Sequence, residues 1–135
     1  MGFIEMPGLG DVQELPLAPE GTYDLCIIDA KLQQKDDKNS IMCILQVENA
    51  DKEYASIFHY VGLPNSGDDK DKTKAKNLFA KRFFVQFSIP TEESGFDIEA
   101  MVGCRATDVK VTQGEWEGRM GNNLQIDRIP EEGAL

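Results

Sequence analysis

Three strand-like runs come first in this chain, one helical run follows, and two more strand-like runs close it. No other feature constrains the fold as tightly. The first three runs are predicted over Thr22 to Gln33, Ser40 to Asn49 and about Glu53 to Leu63, each rich in apolar residues and separated by turn-forming clusters. The helix is predicted to start near Asp71 or Thr73, either of which suits an N-cap, and to end before Pro90. The last two runs span Cys104 to Thr112 and Asn122 to Ile129, with the single tryptophan, Trp116, in the hairpin between them.

Local patterns fill in this frame. Leu25-Cys26-Ile27-Ile28 is apolar at consecutive positions, as expected where one strand face lines the core and the other is covered. In the second run Ile41, Cys43, Leu45 and Val47 share one face. In the third, Ile57, His59 and Val61 alternate with Phe58 and Tyr60, and the pattern leaves open which set points inward. Ala75, Leu78, Phe79, Phe83 and Phe87 recur at helical spacing and predict the buried stripe. Residues 97–102 predict one short helical turn, and the glycines between Gln113 and Gly121 predict a mobile hairpin. Pro7, Gly8, Gly10, Pro16 and Pro19 keep regular structure out of the first 20 residues.

A helix between strands three and four of a five-stranded set is the order of the OB-fold, a small barrel that commonly binds oligonucleotides or oligosaccharides on one face. The expected organisation is therefore an extended arm over 1–20, an all-β OB-like barrel with one helix over 21–130, and a short acidic end over 131–135. At 135 residues the chain makes one domain with room for a real core. Its longest apolar runs fall far short of the roughly 20 residues that span a bilayer. The N-terminus lacks the basic-then-apolar pattern of a secretory signal, so no membrane partner is expected. Cys26, Cys43 and Cys104 are odd in number and scattered among apolar neighbours. They read as reduced, buried thiols and point to a cytoplasmic setting.

The net charge of -10 argues against nucleic-acid binding by the whole body. Screening, however, confines each surface charge to roughly 8 Å at physiological salt. The signs are also partly segregated. Lys70, Lys72, Lys74, Lys76, Lys81 and Arg82 crowd one stretch, and Lys31, Lys35 and Lys38 flank the first hairpin. The acidic residues gather in the arm, in the 92–99 segment and at the end.

Catalysis and cofactors find little support. His59 is the only histidine, and the cysteines are too dispersed for a zinc site. Asp68, Asp69 and Asp71 lack the spacing of a calcium loop. Gly62 and Gly67 are spaced as in a phosphate-binding loop, but Asp68 and Asp69 stand where Lys and Ser or Thr are required. No nucleophile and base pair is visible, so no enzyme, metal or cofactor is expected. Single-strand binding needs cations along the phosphates and aromatic faces for the bases. Trp116 is the leading stacking candidate, with Tyr60 on strand three beside it in rank. Lys31, Lys35, Lys38, Lys72, Lys74, Lys110 and Arg119 are the candidate phosphate ligands.

Several segments carry a family likeness. Pro19-Glu20-Gly21-Thr22-Tyr23 opens strand one, and a charged hairpin precedes Ile41-Met42-Cys43-Ile44-Leu45. A lysine-rich, Phe-containing helix follows strand three. Asp97-Ile98-Glu99-Ala100-Met101-Val102-Gly103 leads into strand four, and the final hairpin ends at Asn122-Asn123-Leu124-Gln125-Ile126 before Arg128-Ile129-Pro130. From about Pro19 to Pro130 the chain resembles the small OB-fold single-stranded DNA-binding proteins of tailed bacteriophages. The resemblance implies a replication or recombination accessory that coats single strands. It also implies an acidic tail that recruits partner enzymes, of which only Glu131 and Glu132 stand here. The rival expectation, favoured by the acidic balance, is a β-barrel or sandwich module for protein interaction or virion assembly, without nucleic acid. Apolar residues of the arm offer a route to a homo-oligomer without requiring one.

Overall fold

The computed structural model describes residues 2–36 and 38–130. Asp37 and the acidic end expected at 131–135 lie outside the described residues. Five strands appear in chain order: β1 (Gly21–Lys35), β2 (Lys38–Glu48), β3 (Ile57–Gly62), β4 (Arg105–Trp116) and β5 (Arg119–Gln125). One helix, α1 (Lys70–Gln86), stands between β3 and β4. A short 3-10 turn at Ile98–Met101 matches the turn expected there.

The strands form one antiparallel sheet in the order β3-β2-β1-β4-β5. Four antiparallel steps give β3 and β5 the same direction. The sheet curls until these two edges lie beside each other. They exchange no ladder, so the OB-like barrel stays open along one seam. β1 makes the curl feasible. Its 15 residues pair with β2 over most of their length and with β4 only from Gly21 to Cys26. Irregular register at Ile27/Asp29 and Tyr23/Leu25 bends it between the two partners.

The core follows the predicted alternation of β2. Ile41, Cys43 and Leu45 are buried between Leu25 and Ile27 of β1 and Ile57 and Val61 of β3. Val109, Val111 and Ala106 of β4 and Met101 complete the interior. On β1, Ile28 breaks the expectation and is half exposed, because the irregularity there turns it out of the ladder.

Four expectations are corrected. First, the helix cap is Asp69, two residues before Asp71, and its Oδ1 accepts the Lys72 N–H at 2.7 Å. Second, the buried stripe is shorter than its spacing predicts. Phe83, Phe84 and Phe87 are buried, but Ala75, Leu78 and Phe79 are exposed. The helix docks by its C-terminal end, where Phe83 stacks on His59 at 4.6 Å and Phe87 lies 4.7 Å from Phe83. Third, the β4–β5 hairpin is not a loose glycine loop. The ladder continues to the pair Trp116–Arg119 and turns through two residues, Glu117 and Gly118, both at positive φ (49° and 76°). That is the primed turn whose twist suits a hairpin. Fourth, β3 begins at Ile57 and β5 ends at Gln125. Beyond β5 the Asp127 N–H bonds Gln86 Oε1 at 2.8 Å, which draws the chain onto the end of α1.

The arm meets the barrel only at its last residues. Ala18 is fully buried and bound on both backbone groups by Asn122 of β5. The Pro16 carbonyl accepts the Ala55 N–H at 2.9 Å, just before β3. Residues 16–18 thus bridge the lower end of the β3–β5 seam. Further back, Leu9–Asp11 form a 3-10 turn inside the segment expected to hold no regular structure, and Leu9, Val12 and Leu15 stay exposed.

Candidate nucleic-acid interface

The register of β1, β2 and β3 lays out one outward face row by row. Asp29, Ile44 and Phe58 form the first row, and Lys31, Met42 and Tyr60 the second. Gln33, Ser40 and Gly62 form the third, and Lys35 faces Lys38 beyond them. The intervening rows, such as Ile27-Leu45-Ile57, point to the core. The alternation that the sequence left ambiguous on β3 is therefore resolved. Ile57 and Val61 are buried, while Phe58 and Tyr60 are exposed, Tyr60 at 57%. His59 shares the inner side. Burial pushes its imidazole down to about 4, so it is neutral near pH 7 and acts as a packing ring against Phe83.

Four predicted residues, Lys31, Lys35, Lys38 and Tyr60, share this face. Lys31 Nζ lies 3.6 Å from Asp29 on the same strand, a solvent-exposed pair of little strength. Lys35 and Lys38 sit directly opposite each other across the hairpin. Like charges in that position repel and favour an anionic neighbour. Phe58 adds a second exposed ring one row from Tyr60, and Ile44 and Met42 lie partly exposed between the strands. The face is thus an aromatic and aliphatic platform with cations toward one end.

The remaining predicted residues stand elsewhere. Trp116 is 75% exposed at the tip of the β4–β5 hairpin, cross-strand from Arg119 and flanked by Glu115 and Glu117. β1 is antiparallel to both β2 and β4, so this tip and the Lys35–Lys38 hairpin lie at opposite ends of β1. The strand contour between them, along β1 and on from Val111 to Trp116, is on the order of 60 Å. Lys110 projects outward from β4 between the buried Val109 and Val111. Lys72 and Lys74 stand on the first turns of α1, where Lys72 Nζ lies 3.6 Å from Asp68. Asp68 also holds Lys76 at 2.7 Å and accepts the Asn65 N–H at 2.9 Å. These contacts, first the Asn65 N–H and then the Lys76 ammonium, keep its carboxyl below the usual range. The aspartate-rich loop therefore serves to pin the start of α1.

Two site features escape the sequence. Phe79 reads as core by its spacing, yet it is 64% exposed, with the Arg82 guanidinium 5.4 Å above its ring. Together with β3 and β5 these residues line a groove of about 530 Å³ over the open seam. A more negative clue lies in the helix itself, whose first turns carry too many charges to pack inward. Among the thiols, Cys26 and Cys43 are buried and Cys104 partly so, and all three are free. Burial pushes the Cys43 thiol up to about 12.

No protein-family model matches this chain, and no curated protein shows significant similarity to it. No helix among the described residues is long and apolar enough to cross a membrane.

Proposed function

We propose that the protein binds single-stranded DNA with little sequence preference, along the outer face of β1, β2 and β3. The observation that carries this reading is the Tyr60–Met42–Lys31 row beside exposed Phe58, on a curled five-stranded frame. A ring stacks on any base, and a lysine two strands away, roughly 10 Å across the sheet, meets a neighbouring phosphate. Lys35 and Lys38 extend the cationic edge. Trp116 and Arg119, at the far end of β1, offer a second stacking and phosphate pair that a longer strand reaches around the barrel. Lys110, Lys72 and Lys74 supply peripheral charge. In this reading the protein serves phage-type replication or recombination in the cytoplasm of a host cell, with no catalytic step of its own.

A titration with an oligothymidylate long enough to reach both ends of β1, followed by Trp116 fluorescence and by anisotropy of a labelled strand, tests the proposal. If roughly four cations contact phosphate, log affinity falls with log salt at a slope of about -3. Tyr60→Ala and Trp116→Ala are each expected to weaken binding by roughly 1–3 kcal/mol. A flat salt response together with unaltered affinity in both variants removes the DNA reading. The net charge of -10 favours the second reading, a non-catalytic protein-interaction or virion assembly module. No binding of any single strand at low salt would select it.

A further inference from the structure

We infer that residues 3–15 of one copy dock into the groove over the β3–β5 seam of a second copy. The groove and the arm are each incomplete alone, and they match in chemistry.

The groove lies between the exposed edges of β3 and β5, roofed by the middle of α1. Among the described residues β3 and β5 share no hydrogen-bonded ladder, so each presents an unpaired backbone edge. The two edges approach within 8 Å at their Cα atoms, so an occupant rests over the seam and not between the strands. Phe79, Tyr60, Leu124 and Ile126 give the groove an apolar lining. Arg82 projects into it, and its Nε is buried without a hydrogen-bond partner. The helix above carries Lys70, Lys72, Lys74, Lys76, Lys81 and Arg82 against a single acid, Asp71.

The arm supplies the complement. Phe3 is 90% exposed, and Ile4, Met6, Leu9 and Val12 are exposed with it. A run of large apolar side chains held in water is unfavourable for an isolated chain. The same segment carries Glu5, Asp11 and Glu14 and no Lys or Arg. An acidic, apolar segment, with one 3-10 turn at Leu9–Asp11, thus faces an apolar groove whose lining carries the cation Arg82. The arm is held at Ala18 by Asn122 and at Pro16 by the Ala55 N–H, and the residues before Pro16 are exposed. Its exposed course in the single chain leaves a second copy as the occupant. Reciprocal exchange about a two-fold axis closes such a pair without leaving a free groove.

Sedimentation velocity of the full chain, from low micromolar to about 200 μM, tests the inference without nucleic acid present. A reversible dimer is expected. Phe3→Asp with Ile4→Asp removes the arm's anchors, and Phe79→Ser with Arg82→Gln removes the groove's. Each double variant is expected to weaken dimerisation on the order of 10- to 100-fold. Circular dichroism and thermal melting check that both still fold. The mixture separates this inference from any other interface. Arm-variant and groove-variant chains each keep one intact half, so mixing them restores a heterodimer through a single exchange. A wild-type chain that stays monomeric throughout overturns the inference. So does a dimer that both folded variants leave intact, or a mixture that stays monomeric while the wild type pairs. Protection of the arm amides in a strictly monomeric protein would place the arm in its own groove and equally overturn it. These readouts require no DNA, so they stand or fall apart from the proposed function.

Discussion

Replacing Asn122 by alanine is the sharpest test of how the arm is tied to the barrel. Asn122 is 9% exposed and its side chain makes three hydrogen bonds. Its Oδ1 accepts the Ala18 N–H at 3.0 Å, and its Nδ2 donates to the Ala18 carbonyl at 2.8 Å and, more weakly, to the Thr112 carbonyl at 3.3 Å. In Asn122→Ala the Ala18 carbonyl keeps one donor, Gln113 Nε2 at 2.9 Å. The Ala18 N–H keeps none, and Ala18 has no exposed surface through which water could reach it. An orphaned buried donor costs about 1–3 kcal/mol, and the second lost bond adds about 0.5–1.5 kcal/mol. The expected total is therefore about 1.5–4.5 kcal/mol. Urea unfolding at pH 7, followed by far-UV circular dichroism, measures it. Asn123→Ala is the control, because Asn123 is exposed on the opposite face, and it should change stability by under about 0.5 kcal/mol. Native-state hydrogen exchange at the Ala18 amide reports the same event locally. If Asn122→Ala matches the wild type within about 0.5 kcal/mol at unchanged m-value, the arm is not anchored as described.

Two further outcomes follow from the same geometry. His59 is held neutral in the folded chain, with its pKa lowered from 6.5 to about 4, while the unfolded chain protonates it near 6.5. The unfolded state then binds more protons, so the His59 contribution is complete above about pH 6.5 and is lost as pH falls toward 4. Between pH 7 and 4.5 the wild type should lose about 2–3 kcal/mol more than His59→Phe, and equal losses in parallel denaturation curves would refute this. At the helix start, Asp69→Ala removes the acceptor of the Lys72 N–H in a turn already crowded with lysines, and thermal melting should report a cost of about 1 kcal/mol. No change would mean that Asp68 and its lysines alone hold the turn.

The order of elements is legible in the chain because each element announces itself locally. Alternation over Ile41, Cys43, Leu45 and Val47 marks β2 and its inner face, and Pro90 bounds α1 from beyond its end. The five-strand, one-helix frame follows from those signals. On β3 the residues alternate between two equally bulky sets, Ile57, His59 and Val61 against Phe58 and Tyr60. Only tertiary packing, with Ile57 and Val61 buried and Phe83 stacked on His59, shows which set faces in. That contact also explains why Tyr60 is left on the outer face.

Other features lie wholly beyond local pattern. Phe79 has core spacing but overhangs the seam, because α1 docks by its last turns and leaves its earlier ones over the groove. Asn122 reads as an ordinary polar strand residue, yet it is buried because a partner 104 residues away requires it. By itself the sequence determined the kind of each element and the succession of elements, since periodicity and turn chemistry act over a few neighbouring residues. Tertiary structure alone decided which surfaces are left over. The open seam, the anchored arm and the ring-bearing face all arise from contacts between residues far apart in the chain, and no short window of sequence contains both partners.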